Sequence, residues 1–429
     1  MMGAGIPFGA EQRLLPEWIP LSFFALALFY LFFAWTSVVF MADDISTFKG
    51  GSGPILGLIH TFTLGVLAST AFGASMQMLP VATGATMSAP RLVITLLVLW
   101  VVGTITTLSG FVFELNDVAA IGASLLCLGA LLFVGLLMRL LYNAQAMRLI
   151  RRHAVLGGVS LICAASLGLA MILSWSAKIS FEMVYPGLFH AGFAIYGFMG
   201  LIVLGFSRIM VPMLAIADVK SEKPAFTALI LILISLLLWM FGCAFGLDVA
   251  MFLSPLLGLI AAGLHIFEMT SILKTRLRSR LGPEWLLIRF SWVMLPSSLV
   301  FSLISINIEG FEKAAQLAIF LGITGWLVSF ILGVLQRIIP FLLSMQIARH
   351  TGMPELPSKL SHERLLKIIG PLHISAVFLC SLGLFYDLSA LLLIGGLMGS
   401  ISGCLFITFF FIALSRKSQS LAKMQQPTL

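Results

Sequence analysis

The sequence predicts an all-α polytopic integral membrane protein. It forms one domain over residues 1–429, with about 12 transmembrane helices in three pseudo-repeated four-helix units. Three observations predict this. Of the 429 residues, 60% are apolar and only 10% are charged, outside the range of soluble domains. Twelve apolar runs long enough to span a bilayer follow one another with short connections. A pattern of two glycines and a proline recurs in every fourth run.

The runs lie near 18–41, 54–80, 91–113, 118–142, 154–175, 184–214, 225–247, 249–273, 285–307, 313–345, 366–386 and 389–414. The first follows Pro16 and is long enough to be a retained span. The longest connection, around Gly352 to Arg364, holds Pro354 and Pro357.

Charge sets the expected orientation. With the N- and C-termini in the cytoplasm, all of the 25 Lys and Arg except Lys49, Lys178 and Lys313 fall on the cytoplasmic side. The clusters Arg148/Arg151/Arg152 and Lys274/Arg276/Arg278/Arg280 follow the positive-inside rule. The net charge of +8 therefore reports topology and contact with anionic lipid heads of the bilayer, and nucleic-acid binding is excluded as its meaning. Five cysteines lie inside spans without a CxxC motif, and their expected role is apolar packing.

The repeat reads G-x7-G-x6-P: Gly65, Gly73 and Pro80 in the second span, Gly197, Gly205 and Pro212 in the sixth, Gly325, Gly333 and Pro340 in the tenth. Successive copies are four spans apart, so the units run approximately 16–142, 150–273 and 285–414. Small residues let membrane helices approach closely, and a proline near an inner end stops a helix, so the pattern identifies architecture rather than chemistry.

Chemistry is expected at histidines. His153, His350 and His362 fall in basic connections and read as solvated. His60, His190, His265 and His373 fall in spans, where ionisable groups are costly. His60 and His190 lie at similar depth in the outer half, but a two-residue difference in the repeat frame rotates them about 200° apart on their helices. They face either one shared compartment or two. Each is a candidate haem or metal ligand, or a neutral imidazole bonded to a neighbour. His265 and Glu268, spaced i, i+3, share a face and could form half of a metal site. Pairing of Glu268 with a nearby arginine is the favoured alternative. Met76, Met78, Met210 and Met213 read as packing rather than a Cu(I) site. Arg139, Arg208, Arg289 and Arg337 sit at inner helix ends, where snorkelling to lipid phosphates is the favoured reading.

Twelve helices in three units, with His60 and His190 on the second and sixth, resemble subunit I of the haem-copper oxidases. The resemblance implies that His60 matches the low-spin haem ligand and His190 the copper ligand on helix six. The seventh span, however, lacks the family's paired histidines. Ala318 and Phe320 stand in the frame where helix ten should carry two more, and Ala194 stands where some members have a tyrosine. The binuclear centre cannot be built, so enzymatic oxygen reduction is not expected, nor is copper bound in the family manner. The chain also resembles the NnrS family tied to nitric-oxide stress. Both resemblances imply a multi-pass protein of a bacterial inner membrane that holds at most one haem or metal, in respiratory or nitric-oxide-related physiology, with other membrane or respiratory subunits as partners. A cofactor-free transporter or channel for a small solute or metal, with Thr61, Thr63, Ser69, Thr70 and Gln77 lining the second span, is the rival expectation, and an assembly factor the third.

Overall fold

A computed structural model of the chain describes residues 15–85, 89–142, 147–219, 221–307 and 313–425. The first 14 and last four residues, expected in the cytoplasm, lie outside the described residues. The described residues are helical, with no strand among them. Twelve helices are long and apolar enough to cross a membrane, and they make this a multi-pass membrane protein: α1 (Trp18–Phe40), α2 (Pro54–Val81), α3 (Pro90–Val112), α4 (Asn116–Tyr142), α5 (Arg148–Trp175), α6 (Pro186–Ala215), α7 (Lys223–Phe245), α8 (Asp248–Lys274), α9 (Glu284–Asn307), α10 (Lys313–Thr351), α11 (Glu363–Tyr386) and α12 (Ser389–Lys423). All 12 sit where the hydropathy placed them. The main differences are at α5, which starts at Arg148, and at α10 and α12, which run on to Thr351 and Lys423.

Burial separates the helices into two classes. The most apolar windows of α2, α6 and α10 are 67%, 72% and 83% buried within the protein, and the other nine lie between 28% and 44%. The three glycine-rich helices therefore form the centre, and the rest present a face to lipid. Around them α3 packs on α4, α7 on α8 and α11 on α12; α4 then packs on α5, α8 on α9, and α12 closes on α1. The lipid-facing surface is correspondingly apolar, with Phe33, Val98, Ile121 and Phe267 among its exposed side chains.

The repeat glycines act as close-approach points. Gly65 and Gly73 lie against Tyr30 and Phe23 of α1, Gly197 and Gly205 against Ser160 and His153 of α5, and Gly325 and Gly333 against Met294 and Ile288 of α9. A Cβ at Gly73, Gly197, Gly205 or Gly333 would come within 2.7 to 2.9 Å of those side chains. Each central helix is thus seated on the helix that precedes it.

Each central helix is also wound as a π-helix over eight residues: Thr61–Ala68, Phe193–Gly200 and Leu321–Val328. The three segments occupy the same place in the glycine frame, with Gly65, Gly197 and Gly325 each fifth. π-winding redirects carbonyls away from the regular ladder, and side chains use them. Ser69 Oγ donates to Leu64 O at 3.2 Å, Ser329 Oγ to Thr324 O at 3.1 Å, and Trp100 Nε1 of α3 also donates to Leu64 O at 3.1 Å.

Two expectations about helix ends are corrected. Pro80, Pro212 and Pro340 lie inside their helices, and α10 continues well past Pro340. A proline removes one backbone bond, which a buried membrane helix tolerates when neighbouring groups absorb the loss. His153 is not a solvated loop residue: it is buried on α5, on the stripe Leu149, Ile150, His153, Ala154, Gly157 that packs on α6. The basic run before it is helical, and its arginines leave that stripe free. His350 is exposed in the last turn of α10, so that helix carries a histidine after all, though far from Ala318 and Phe320. His362 is half-buried and caps α11, accepting the Leu365 N–H at 3.4 Å. Of the cysteines, Cys243 and Cys380 are buried as expected, but Cys163 and Cys404 are exposed on the outside of the bundle.

Candidate functional site

His60 ends the first α-helical stretch of α2, one residue before its π-segment, and His190 lies three residues before the π-segment of α6. The structure resolves the choice that the rotation left open. The two rings meet in one gap, centroids 6.0 Å apart and planes 30° from parallel. Because α2 and α6 look at each other across that gap, different sides of the repeat frame point into it.

Both rings are fixed from behind. His60 Nδ1 lies 2.9 Å from Leu56 O in its own helix, and His190 Nδ1 lies 2.9 Å from Ala164 O on α5. A carbonyl only accepts, so each Nδ1 carries the hydrogen and each neutral ring keeps its lone pair on Nε2. This is one of the two tautomers in which histidines bind metals, with a backbone carbonyl as the orienting partner. Phe111 of α3 walls the site, its ring centroid 5.2 Å from that of His60. Gly168 of α5 makes room for His190: a Cβ there would lie 3.0 Å from its Cε1. Both histidines are only half-buried. Deeper in, Phe72, Trp100, Phe133 and Phe198 close the space beneath them, with Phe72 and Phe133 centroids 4.1 Å apart.

Two imidazoles in one gap are the nitrogen donors these residues would offer a cation. They do not fit a haem held as the resemblance implies. The flank of α2 that faces α1 and α11 is filled by Trp35, which is fully buried and packs edge-on against Phe62 and His373 at 5.3 and 5.9 Å. From α10, Ala318 is buried in packing and its carbonyl accepts from Ser298 Oγ at 2.8 Å. No group of three or more His, Cys, Asp or Glu arranged for a metal occurs among the described residues.

His265 and Glu268 are brought together with arginine. Glu268 is ion-paired with Arg208, and both are buried. Arg208 also lies 3.9 Å from the exposed Glu222, and His153 and Arg208 lie close enough to His265 to act on it electrostatically. A guanidinium already occupies the carboxylate, so the snorkelling expected of Arg208 is replaced by an internal ion pair. Arg337 is internal too: its Nε lies 3.0 Å from Glu284 Oε1, and Arg278 lies 3.6 Å from the same oxygen. Glu284 is fully buried, so the carboxylate outweighs lipid phosphate as partner. Arg139 and Arg289 are exposed, as expected for side chains that reach lipid heads. His373 is structural, its Nε2 3.0 Å from Ser329 Oγ. Met76, Met78 and Met210 are buried packing residues, whereas Met213 is partly exposed.

A second region had no strong signal in the sequence. Two adjoining cavities of about 60 and 270 Å³ lie among α6, α7, α8, α9 and α10 and share Gly192, Tyr196, Trp239 and Ser302. Their lining comes from five helices, and no motif joins residues so far apart. Only the tryptophans inside apolar runs and Gly192 in the glycine-rich segment 190–213 could have hinted at it.

No protein-family model matches the chain, and no curated protein matches it.

Proposed function

We propose that this chain is a divergent relative of the haem-copper-oxidase subunit I group that binds a single metal cation between His60 and His190 and does not reduce oxygen. One observation carries the reading: two intramembrane imidazoles from separate helices face each other, each with Nδ1 tied to a carbonyl and Nε2 free. Imidazole nitrogen suits late first-row metals, copper, zinc, iron and nickel among them. When bound, such an ion would supply a Lewis-acidic or redox centre; the chain's part is to orient the two rings and wall them with Phe111. The shared glycine and π-helix frame of α2, α6 and α10 supports the three-unit architecture on which the relationship rests. A bacterial inner membrane, cytoplasmic termini and a place in respiratory or nitrosative-stress physiology follow from that relationship.

The deciding experiment is elemental analysis with an optical spectrum on the purified full chain, after incubation with each metal and separately after haem-supplemented expression. About one equivalent of metal, lost in both His60→Ala and His190→Ala, is the expected result. Metal retained in both variants, or never bound by the parent, would overturn it. A Soret band would restore haem as the ligand.

A second reading, a cofactor-free passage for a small solute, is favoured by Gln77 and Gln336. Both amides are buried in central helices, and neither has a hydrogen-bond partner among the described residues. Solute uptake by proteoliposomes that is lost in Gln77→Leu but kept in His60→Ala would favour it.

A further inference from the structure

The cavity between the second and third units has a composition of its own. Its walls are mostly aliphatic, with Tyr185, Tyr196 and Trp239 as the aromatic side chains of the larger part and Trp326 in the smaller part alone. Tyr196 of α6 and Trp326 of α10 stack with centroids 5.8 Å apart and planes 22° from parallel, and Trp239 of α7 closes another side. Glycines on α6 make these walls possible. A Cβ at Gly192 would collide with the Trp239 indole, and one at Gly200 would lie 3.0 Å from Trp326 Cη2.

The polar ends of two of these rings are already engaged elsewhere. Trp239 Nε1 donates to Leu188 O at 2.8 Å, and the Tyr196 hydroxyl is bonded to Ser298 Oγ. What these two residues offer a guest is therefore their aromatic rings, whose faces carry negative electrostatic potential. Among the described residues the only charged one in the lining is Asp248, exposed in the first turn of α8, and no described Lys, Arg or His lines either cavity. Asp248 forms no ion pair among the described residues. Two lysines expected on the same side are engaged elsewhere: Lys178 lies 3.3 Å from Asp117, and Lys313 pairs with Asp387. An anion would meet a carboxylate with no neutralising base. A cation meets a carboxylate at the mouth and aromatic faces inside, the combination that recognises alkylammonium groups. The larger cavity, of about 270 Å³, has room for a small organic ion.

We propose that this cavity binds a small organic ammonium ion, with its charged head beside Asp248 and its alkyl groups against the faces of Trp239 and Tyr196. No histidine lines it, so the proposal stands or falls separately from the metal site.

The test is calorimetric titration, with tryptophan emission as a second readout, on the purified full chain. Choline and tetraethylammonium are the probes, and 3,3-dimethylbutan-1-ol serves as the uncharged isostere of choline. Saturable choline binding is expected, at least about tenfold tighter than the alcohol, weakened about tenfold by Asp248→Asn and kept by Asp248→Glu. Equal binding of choline and the alcohol, unchanged binding in Asp248→Asn, or no saturable binding would overturn it. An acid in the first turn of a helix also has a structural role. Should Asp248→Asn fail to fold, the discrimination between choline and its isostere on the unmodified chain decides the matter alone.

Discussion

His60 and His190, 130 positions apart in the chain, place their ring centroids 6.0 Å from each other. Neither is held by the other. His60 is anchored to its own helix and His190 to α5, so the gap between them is set by how α2, α5 and α6 pack.

The proposed metal site can therefore be disturbed without touching a histidine. Gly168→Leu puts carbon where His190 Cε1 now has 3.0 Å of clearance, and should turn the ring. Metal affinity should drop about tenfold or more, the scale of a lost orienting partner, while the melting temperature moves little. Unaltered affinity, measured by competition with a chromogenic chelator, would show that His190 does not ligate.

The Arg208–Glu268 pair should behave as a buried ion pair does. Arg208→Ala leaves the buried Glu268 carboxyl without its partner and should cost about 3–5 kcal/mol, whereas replacing both partners with Met and Leu should recover most of that. Thermal unfolding in detergent compares the three proteins. A double variant no better than Arg208→Ala would mean that the pair sets packing, not charge balance.

Glycine substitutions test the seating of the central helices. Gly205→Val presses on His153 and Gly73→Val on Phe23, and each should cost about 1–3 kcal/mol through overpacking. Gly135→Val, at a position where an added Cβ meets nothing within 4 Å, is the control and should be nearly neutral.

The Tyr196 hydroxyl bonds Ser298 across α6 and α9, and Tyr196→Phe should lower stability by about 1 kcal/mol, the usual net worth of such a bond. Because the ring face is retained, choline binding in the adjoining cavity should be unchanged, which separates the hydroxyl's structural part from the ring's.

One pH effect lies outside the spans. Glu355, in the connection between α10 and α11, is held below the ordinary carboxylate range, first by its bond to Lys359, then by the Leu356 N–H and Ser420 on the extension of α12. A depressed carboxylate contributes stability above its ordinary range and loses it as pH falls through the lowered value. Hydrogen-exchange protection at the end of α12, expressed relative to the intrinsic exchange rate at each pH, should fall on acidification in the parent and be independent of that step in Glu355→Gln.

Span count and placement were legible in the sequence because hydrophobic length is a local property that the bilayer reads directly. The glycine pattern was legible as a pattern, and its partners on the preceding helices were not, since close approach is defined by what stands opposite. His60 and His190 were legible as costly intramembrane groups. Their meeting was not, because periodicity gives an angle around one helix and says nothing of where its neighbour lies. His153 and Arg208 were misread for one reason: a basic residue near a membrane edge looks solvated until a buried partner or a packed face is known.

The sequence by itself determined twelve apolar helices, a recurring close-packing frame and a handful of polar groups too expensive to be accidental. Only the tertiary structure decided which of those groups meet: two histidines across one gap, a guanidinium against Glu268, and Tyr196, Trp239 and Asp248 around one cavity. Burial in lipid is a property of single segments summed along the chain, whereas a site is a coincidence of side chains from different helices. That coincidence is fixed by packing at a resolution of about one ångström, which no local pattern encodes.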